Sequence, residues 1–219
     1  MIITSGTMPN IYKFNIGNDF VSKATSAIES FIENQEKDTI RIALSGGSSP
    51  KPVYEKLADS KQIDWSKVEL FMVDERSDGS NEKMIGEALT SKLPNLKAFH
   101  PLTENTENEL GKMNRPFFDL VILGLGSDGH TASIFPNSEA ISELEALVLK
   151  TESPSGIKER LTLTFPTMLS TEKIIFLIRG EEKKEALEKM LDESTSETEI
   201  PAKIALEHDN VDVYYDYSS

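Results

Sequence analysis

The sequence DLVILGLGSDGHTASIFP, residues 119–136, decides the fold, because an apolar run passes directly into a glycine turn. The mostly apolar residues 119–123 are typical of a buried central strand in a parallel sheet. Such a strand ends at the sheet edge where open α/β folds bind their ligands. His130 follows in the turn, and histidine is the side chain whose ordinary pKa best suits proton transfer near neutral pH. The stretch therefore predicts a central strand that leads into an active site.

Strand and helix patterns alternate on both sides of this stretch. Apolar or alternating runs predict strands at residues 11–16, 39–44, 68–73, 147–150, 160–165 and 173–178, and an edge strand at residues 211–217. Helical spacing of apolar residues predicts helices at residues 18–34, 81–93 and 181–191, and another that begins at Pro50. Residues 94–117 are expected to form a surface loop with one short helix, and residues 194–199 a mobile surface loop. The length and the alternation predict one α/β domain over residues 1–219.

The composition excludes several classes of chemistry. The chain has no cysteine, which excludes disulfides, thiol nucleophiles and cysteine-ligated metals, and which fits a reducing compartment. The remaining histidines and carboxylates show no metal-ligand spacing, so no metal is expected. The sequence starts without a basic leader and an apolar stretch, and no apolar run is long enough to span a membrane. We therefore expect a cytoplasmic protein.

The charge balance restricts the partners. The formal net charge is -14 at pH 7, and a surface that binds nucleic acid or an anionic membrane needs a basic face. We therefore expect neither partner. A phosphate ligand would have to be attracted locally, by a few basic side chains and oriented backbone amides. No heptad run or apolar surface stripe specifies an oligomer, and we expect a monomer or a weak homodimer.

The first candidate site is the glycine-serine loop, residues 45–49, which reads SGGSS and joins a predicted strand to a predicted helix. The N–H groups of such small residues can converge on an anion, and the helix behind them adds a partial positive charge. The hydroxyl groups of the loop can donate as well. Its residues are Ser45, Gly46, Gly47, Ser48 and Ser49. The alternative is a flexible turn with serine caps, and the loop is not a Walker A motif because no GKS or GKT follows.

A second glycine motif, GLGSDG at residues 124–129, matches the GxGxxG pattern of dinucleotide-binding folds. Pro136 falls too soon after it for the long helix that a dinucleotide fold uses. The glycine-serine loop also has no role in that interpretation. We therefore expect no dinucleotide at this motif.

His130 is the candidate general base. Asp128, two residues earlier in the glycine turn, can accept a hydrogen bond from the imidazole and set its tautomer, as a carboxylate does for a catalytic histidine. The alternative is a capping or core histidine that is satisfied by a carbonyl group.

Charged residues supply the remaining candidates. Asp74 and Arg76 end the strand predicted at residues 68–73, and an arginine at this edge suits a phosphate or a developing oxyanion. The alternative is that these charged residues only form a salt bridge at the strand end and bind no ligand. Lys158 and Arg160 precede a later strand and, with Arg76 and Lys51, are candidates for the local basic patch, although both could be ordinary surface charges.

Four motifs in order, LSGGSSPKPVYEKL, VDER followed by SN, FDLVILGLGSDGHTASIFP and ERLTLTF, resemble the 6-phosphogluconolactonase family across most of the chain. The resemblance implies a Rossmann-like α/β fold, a three-layer sandwich with a mostly parallel central sheet, shared with glucosamine-6-phosphate deaminases and ribose-5-phosphate isomerases. It also implies hydrolysis of a small-molecule sugar-phosphate lactone, 6-phosphogluconolactone, to 6-phosphogluconate in the oxidative pentose phosphate pathway, without a cofactor.

By this resemblance His130 activates water, and Asp128 or Asp74 stabilises the imidazolium. Arg76 holds the oxyanion or the phosphate, and the glycine-serine loop binds phosphate through its amides. Two departures from the family pattern stand out. Only SDG separates Arg76 from Ser80, where the family usually has a longer segment. The later SPKP reads SPSG here, with Lys158 displaced by three positions.

Two alternatives to the lactonase remain open. An amino-sugar phosphate deaminase or isomerase shares the fold, but such deaminases resemble one another in a glutamate five residues after the histidine, where this chain has Phe135. A non-catalytic sugar-phosphate-binding regulator would keep the pocket without turnover. No DNA-binding module or basic segment supports the regulator.

Overall fold

The computed structural model describes residues 8–218, which form two β-sheets and their connecting helices. In chain order the strands are β1 (Asn10–Phe14), β2 (Ile40–Leu44), β3 (Val68–Met72), β4 (Asp74–Arg76), β5 (Ala98–His100), β6 (Leu120–Leu123), β7 (Val148–Glu152), β8 (Glu159–Leu163), β9 (Lys173–Arg179) and β10 (Val211–Asp216). The helices are α1 (Gly17–Glu33), α2 (Lys51–Ala58), α3 (Ser80–Ala88), α4 (Thr106–Leu110), α5 (Phe165–Met168) and α6 (Lys184–Leu191). Short 3-10 helices lie at Trp65–Lys67, Thr90–Lys92, Glu139–Ser142, Glu181–Lys183 and Pro201–Glu207. No helix within residues 8–218 is long and apolar enough to cross a membrane.

The larger sheet has seven strands in the order β1-β10-β9-β6-β2-β3-β5, and all its neighbouring strands run parallel. The chain proceeds outward from β2 through β3 to β5, then returns to β6 and proceeds in the opposite direction. The order therefore reverses between β2 and β6, which pair directly, with Leu44 opposite Ile122. Open parallel sheets bind ligands at such a reversal, beyond the carboxyl ends of the strands. The predicted α/β fold with a mostly parallel sheet is confirmed.

The central strands owe their position to uninterrupted apolar sequence. All residues of β6 are buried, and so are five consecutive residues of β9. Strands with this pattern need cover on both faces, which helices of a parallel sheet supply. In α1 the buried Phe20, Ala24, Ile28 and Ile32 recur every four residues and form one apolar face.

The smaller sheet is antiparallel, in the order β4-β8-β7. Its strand β4 is formed by Asp74–Arg76, the charged residues that were expected only to end the third strand. Pairing with β8 places Asp74 opposite Thr162 and Arg76 opposite Arg160. The small sheet therefore holds these charged groups beside the carboxyl end of the large sheet.

Two predictions about the strands are wrong. Residues 211–217 were expected to form an edge strand, but β10 lies between β1 and β9. Every residue of β10 is buried, which requires neighbours on both sides, whereas β1 alternates with exposed residues and forms the edge. The segment 94–117 contains the predicted short helix, α4, but also the short edge strand β5.

Candidate active site

A cavity of about 240 Å³ opens at the carboxyl ends of β2 and β6, where the strand order reverses. We call residues 124–130, which follow β6, the histidine turn. The lining residues are Ser45, Gly46, Gly47, Ser48, Ser49, Pro50, Asp74, Arg76, Asn81, Gly124, Leu125, Gly126, His130, Thr131, Ala132 and Lys183. The structure thus brings the glycine-serine loop, the histidine turn and β4 around one space.

The glycine-serine loop is anchored at its first residue. The backbone N–H of Ser45 donates to the Ile122 carbonyl at 3.0 Å, and the Tyr54 hydroxyl donates to the Ser45 carbonyl at 2.9 Å. The Ser45 hydroxyl oxygen is buried and has no protein partner within residues 8–218. Gly47 has φ +93°, a conformation that favours glycine. Fixed amides and an unpartnered hydroxyl suit an anionic ligand.

Asn81, a lining residue that the sequence analysis did not identify, packs over Gly46. A Cβ atom at Gly46 would lie 2.2 Å from the Asn81 side chain, so only glycine fits there. The Asn81 amide nitrogen donates to the Asp74 carbonyl at 3.1 Å. Its backbone N–H donates to the buried Glu75 carboxylate at 2.9 Å, as does that of Glu82 at 2.7 Å. Glu75 therefore caps α3 and fixes Asn81 between β4 and the loop.

The histidine turn folds the imidazole back against a carboxylate. His130 Nδ1 lies 2.5 Å from Asp128 Oδ1, and the His130 backbone N–H donates to the same oxygen at 3.2 Å. A Cβ atom at Gly126 would lie 2.1 Å from His130 Nδ1, so glycine is required beneath the pair. The His130 side chain is 33% exposed, and its Nε2 atom has no hydrogen-bond partner within the described part of the chain. Nε2 is therefore available to a ligand or a water molecule, as the predicted base requires.

The two aspartates at this position differ electrostatically. Burial alone would raise the pKa of Asp128, but the hydrogen bond and the charge of His130 outweigh burial and hold this pKa below its ordinary value. Burial raises the pKa of Asp74, although the hydrogen bond from the Ser133 hydroxyl, 2.7 Å away, and the charge of His130 oppose this rise. Asp128 is consequently the ionised partner of His130, whereas Asp74 is a desolvated carboxyl group on the cavity wall.

Phe135 occupies the space beside the imidazole. Its ring centroid lies 4.8 Å from that of His130, and the residue is 6% exposed. The position where the related deaminases carry a glutamate therefore presents an apolar ring to the histidine.

The predicted basic patch is only partly assembled. Arg76 lines the cavity, donates to the Ser80 hydroxyl at 3.3 Å and forms no ion pair with a carboxylate among residues 8–218. Arg160 lies across the β4–β8 pair from Arg76 and lines a neighbouring cavity of about 470 Å³ instead. Burial and then the charge of Arg76 lower the pKa of Arg160.

Two lysines in the predicted patch lie elsewhere. Lys158 lines neither cavity, because it belongs to the turn between β7 and β8, beyond the end of β4, where its carbonyl accepts from the Ser153 N–H at 2.8 Å. Lys51 lies on α2, 3.9 Å from Glu55. The cavity is instead lined by Lys183, which follows β9. The sequence feature that could have identified Lys183 is its position just after a strand of the parallel sheet. That strand ends at the same edge of the sheet as β2 and β6.

Comparison with known proteins gives a consistent result. Residues 15–214 match the family described as glucosamine-6-phosphate isomerases/6-phosphogluconolactonase. A 6-phosphogluconolactonase from Thermotoga maritima is 39% identical over 202 residues, which cover 84% of this chain and 87% of that protein. A protein from Dictyostelium discoideum named "Probable 6-phosphogluconolactonase" is 33% identical over 212 residues, which cover 84% and 90% of the two chains.

Solved structures agree with these relatives. The crystal structure of a 6-phosphogluconolactonase from Shewanella baltica superposes with a TM-score of 0.85 at 27% identity, and the match covers 96% of this chain and 98% of that one. The crystal structure of the Thermotoga maritima enzyme superposes with a TM-score of 0.81 at 32% identity, covering 95% and 99% of the two chains. The fold of these proteins is therefore the fold of this chain over nearly its whole length.

Proposed function

This chain belongs to the glucosamine-6-phosphate isomerase/6-phosphogluconolactonase family, and we propose that it hydrolyses 6-phospho-D-glucono-1,5-lactone to 6-phospho-D-gluconate in the oxidative pentose phosphate pathway. The single observation that carries this proposal is the shared cavity. A histidine paired with a carboxylate lines the same space as a glycine-serine loop whose Ser45 hydroxyl has no protein partner within residues 8–218. Ester hydrolysis and phosphate recognition need these two sets of groups.

The attacking water is activated by His130. With Nδ1 bound to Asp128, the neutral imidazole accepts the water proton at Nε2 as the water oxygen bonds to the lactone carbonyl carbon. The Asp128 carboxylate then stabilises the imidazolium that forms. Asp74, which also lines the cavity, adds a second carboxyl group near this charge.

Collapse of the tetrahedral intermediate breaks the bond between the carbonyl carbon and the ring oxygen. The proton on His130 is returned to that ring oxygen, which becomes the hydroxyl group of the product. Arg76 lines the cavity without a carboxylate partner among the described residues, so we assign it to the oxyanion. Arg160, opposite it on β8, lines the neighbouring cavity, so we assign it no direct contact with the reacting carbonyl.

The phosphate of the substrate is assigned to the glycine-serine loop. The loop residues, among them Ser45 with its unpartnered buried hydroxyl, and Lys183 line the cavity together. Such local donors are necessary because the chain as a whole carries a net charge of -14. Binding at this remote group positions the lactone carbonyl near His130 and lowers the barrier at the reacting carbon. Lys158 has no direct contact in this assignment.

The alternatives to the lactonase have less support. A deaminase of the same fold needs a carboxylate to tune the histidine, and Phe135 fills that position. A non-catalytic binding protein has no need for the Asp128–His130 pair.

We also propose that residues 1–219 act as one domain and that the protein works in the cytoplasm as a monomer or weak homodimer. The acidic composition supports an absence of nucleic-acid and membrane partners, and the lack of cysteine fits a reducing compartment. The proposed hydrolysis needs only water and the chain's own residues, so we assign no cofactor and no metal.

The proposal is tested by following 6-phosphogluconolactone hydrolysis at a pH where the spontaneous reaction is slow. Wild-type protein should exceed the background rate, and His130→Ala should lower kcat by about a thousandfold, the scale of a lost general base. A wild-type rate equal to the background would refute the proposed lactonase activity. Ammonia release from glucosamine 6-phosphate would favour the deaminase, and binding of 6-phosphogluconate without turnover would favour the regulator.

A further inference from the structure

The histidine turn is contacted from outside by the segment 198–202, which follows α6 and includes the first two residues of the 3-10 helix at Pro201–Glu207. A Cβ atom at Gly129 would lie 2.4 Å from Ile200 Cδ1 and 3.1 Å from Ile200 Cα. The Ala202 N–H donates to the Gly129 carbonyl at 3.1 Å. Gly129, with φ +89°, is the residue between Asp128 and His130. The segment therefore packs directly against the peptide that carries the catalytic pair.

The same segment also holds the far end of the loop that follows His130. The Asn137 N–H donates to the Thr198 carbonyl at 2.9 Å, and Asn137 has φ +60°. Contacts with Ile200 and Ala202 at one end, and with Thr198 at the other, fix the path of the chain from residue 129 to residue 137.

The segment is itself held by hydrogen bonds and an ion pair, some of them from residues 194–199, which were expected to form a mobile surface loop. The Ile200 N–H donates to the Ser196 carbonyl at 3.0 Å. The ammonium group of Lys203 donates to the carbonyls of Asp192 and, at 2.8 Å, Thr195. Lys189 and Glu199 form an ion pair at 3.0 Å. Ile200 is 3% exposed, so its side chain contacts the turn from a packed position.

We propose that Ile200 is a positioning residue for the general base, an inference that rests on the proposed role of His130. The side chains of His130 and Asp128 are 33% and 43% exposed, so surrounding packing restrains the pair only in part. The turn beneath them must supply the remaining restraint, and Ile200 is the apolar side chain against which Gly129 lies. Loss of this contact lets the imidazole sample orientations in which Nε2 does not face the water, without altering the phosphate site.

Two variants at Ile200 and two matched controls test the proposal. Ile200→Ala removes most of the side chain that packs here, and Ile200→Val removes Cδ1, the atom nearest to the Cβ position of Gly129. The controls are Ile32→Ala and Ile32→Val, since Ile32 is also 3% exposed but lies near Ile40, at the amino-terminal end of β2. We expect kcat to fall about tenfold in Ile200→Ala and about threefold in Ile200→Val, with KM nearly unchanged. Both controls should lose stability and keep the wild-type kcat.

A second readout does not depend on turnover. In Ile200→Val and Ile200→Ala the NMR signals of the His130 ring should broaden or split, because the ring exchanges between orientations. The Ile32 controls should keep the wild-type spectrum. Wild-type kcat and an unchanged His130 spectrum in the Ile200 variants would overturn the positioning role. An inactive wild-type protein would instead refute the proposed hydrolysis, and the ring spectrum would still decide whether Ile200 orients His130. If Ile200→Ala does not fold, the two valine variants decide the question.

Discussion

The glycine-serine loop and the histidine turn follow neighbouring strands, β2 and β6, and end at the same cavity, yet they present different chemistry. Each contains a glycine beneath a side chain: Gly46 lies under Asn81, and Gly126 lies under His130. Over the first loop the covering side chain comes from α3, braces the backbone and lines the cavity beside the small residues of the loop. In the second, the covering side chain is the proposed reactive group itself.

This difference indicates a division of function. Backbone amides are fixed by the fold and bind an anion equally well before and during the reaction, so damage to the glycine-serine loop should weaken binding. The imidazole acts only as the proton moves, so damage to the histidine turn should slow the chemical step. The same substitution in the two loops should therefore change different kinetic constants.

The largest effect is expected for Gly126→Ala. The added methyl group collides with His130 Nδ1 and with Asp128 Oδ1, which separates the catalytic pair. We expect kcat to fall about a hundredfold, with KM within about twofold of wild type. The control is Gly86→Ala on α3, where a Cβ atom meets nothing within 4 Å. Steady-state kinetics that show an unchanged kcat for Gly126→Ala would contradict the role of this glycine.

Gly46→Ala makes the same chemical change in the other loop. The methyl group displaces Asn81 and with it the loop amides, while His130 keeps its partner. We expect KM to rise about tenfold with kcat within about threefold of wild type. A fall in kcat without a rise in KM would mean that the two loops do not divide binding from chemistry.

A pair of lysines tests which cations belong to the phosphate side. Lys183 lines the cavity, and Lys158 does not. Lys183→Ala should raise KM about fivefold, whereas Lys158→Ala should leave kcat/KM within about twofold of wild type. The measurement is the substrate dependence of the rate for both variants. An equal rise in KM for the two variants would mean that Lys158 also contributes to phosphate binding.

The smallest effect is a pH-dependent change in stability at Asp74. Burial raises the pKa of this carboxyl, so its ionised form destabilises the folded state at pH values above the raised pKa. The cost disappears as pH falls below the ordinary aspartate value of about 3.9, where the group is protonated in both states. Asp74→Asn, whose amide oxygen still accepts from Ser133, should therefore raise Tm near neutral pH and leave it unchanged in strong acid. A lower Tm for the variant at neutral pH would contradict this sign.

The fold and the two loops were predictable because their signals are local. Apolar runs mark β2 and β6, and each is followed at once by glycine and polar residues. Asn81 and Lys183 were missed because their importance depends on which strands become neighbours, and a single sequence does not specify that order. Lys158 was expected in the basic patch because it is close to Arg160 in sequence. The turn between β7 and β8 carries it past the end of β4, which only the strand register shows.

The most direct test of the division between the loops is the affinity of His130→Ala for the product, 6-phosphogluconate, measured by calorimetry beside the wild-type protein. Substitution of the base removes a reacting group but leaves the glycine-serine loop and Lys183 in place. The expected result is a Kd within about twofold of wild type, alongside turnover near the spontaneous background. A Kd weakened by about tenfold or more would show that the histidine turn holds the ligand itself, and would contradict the division proposed between the two loops.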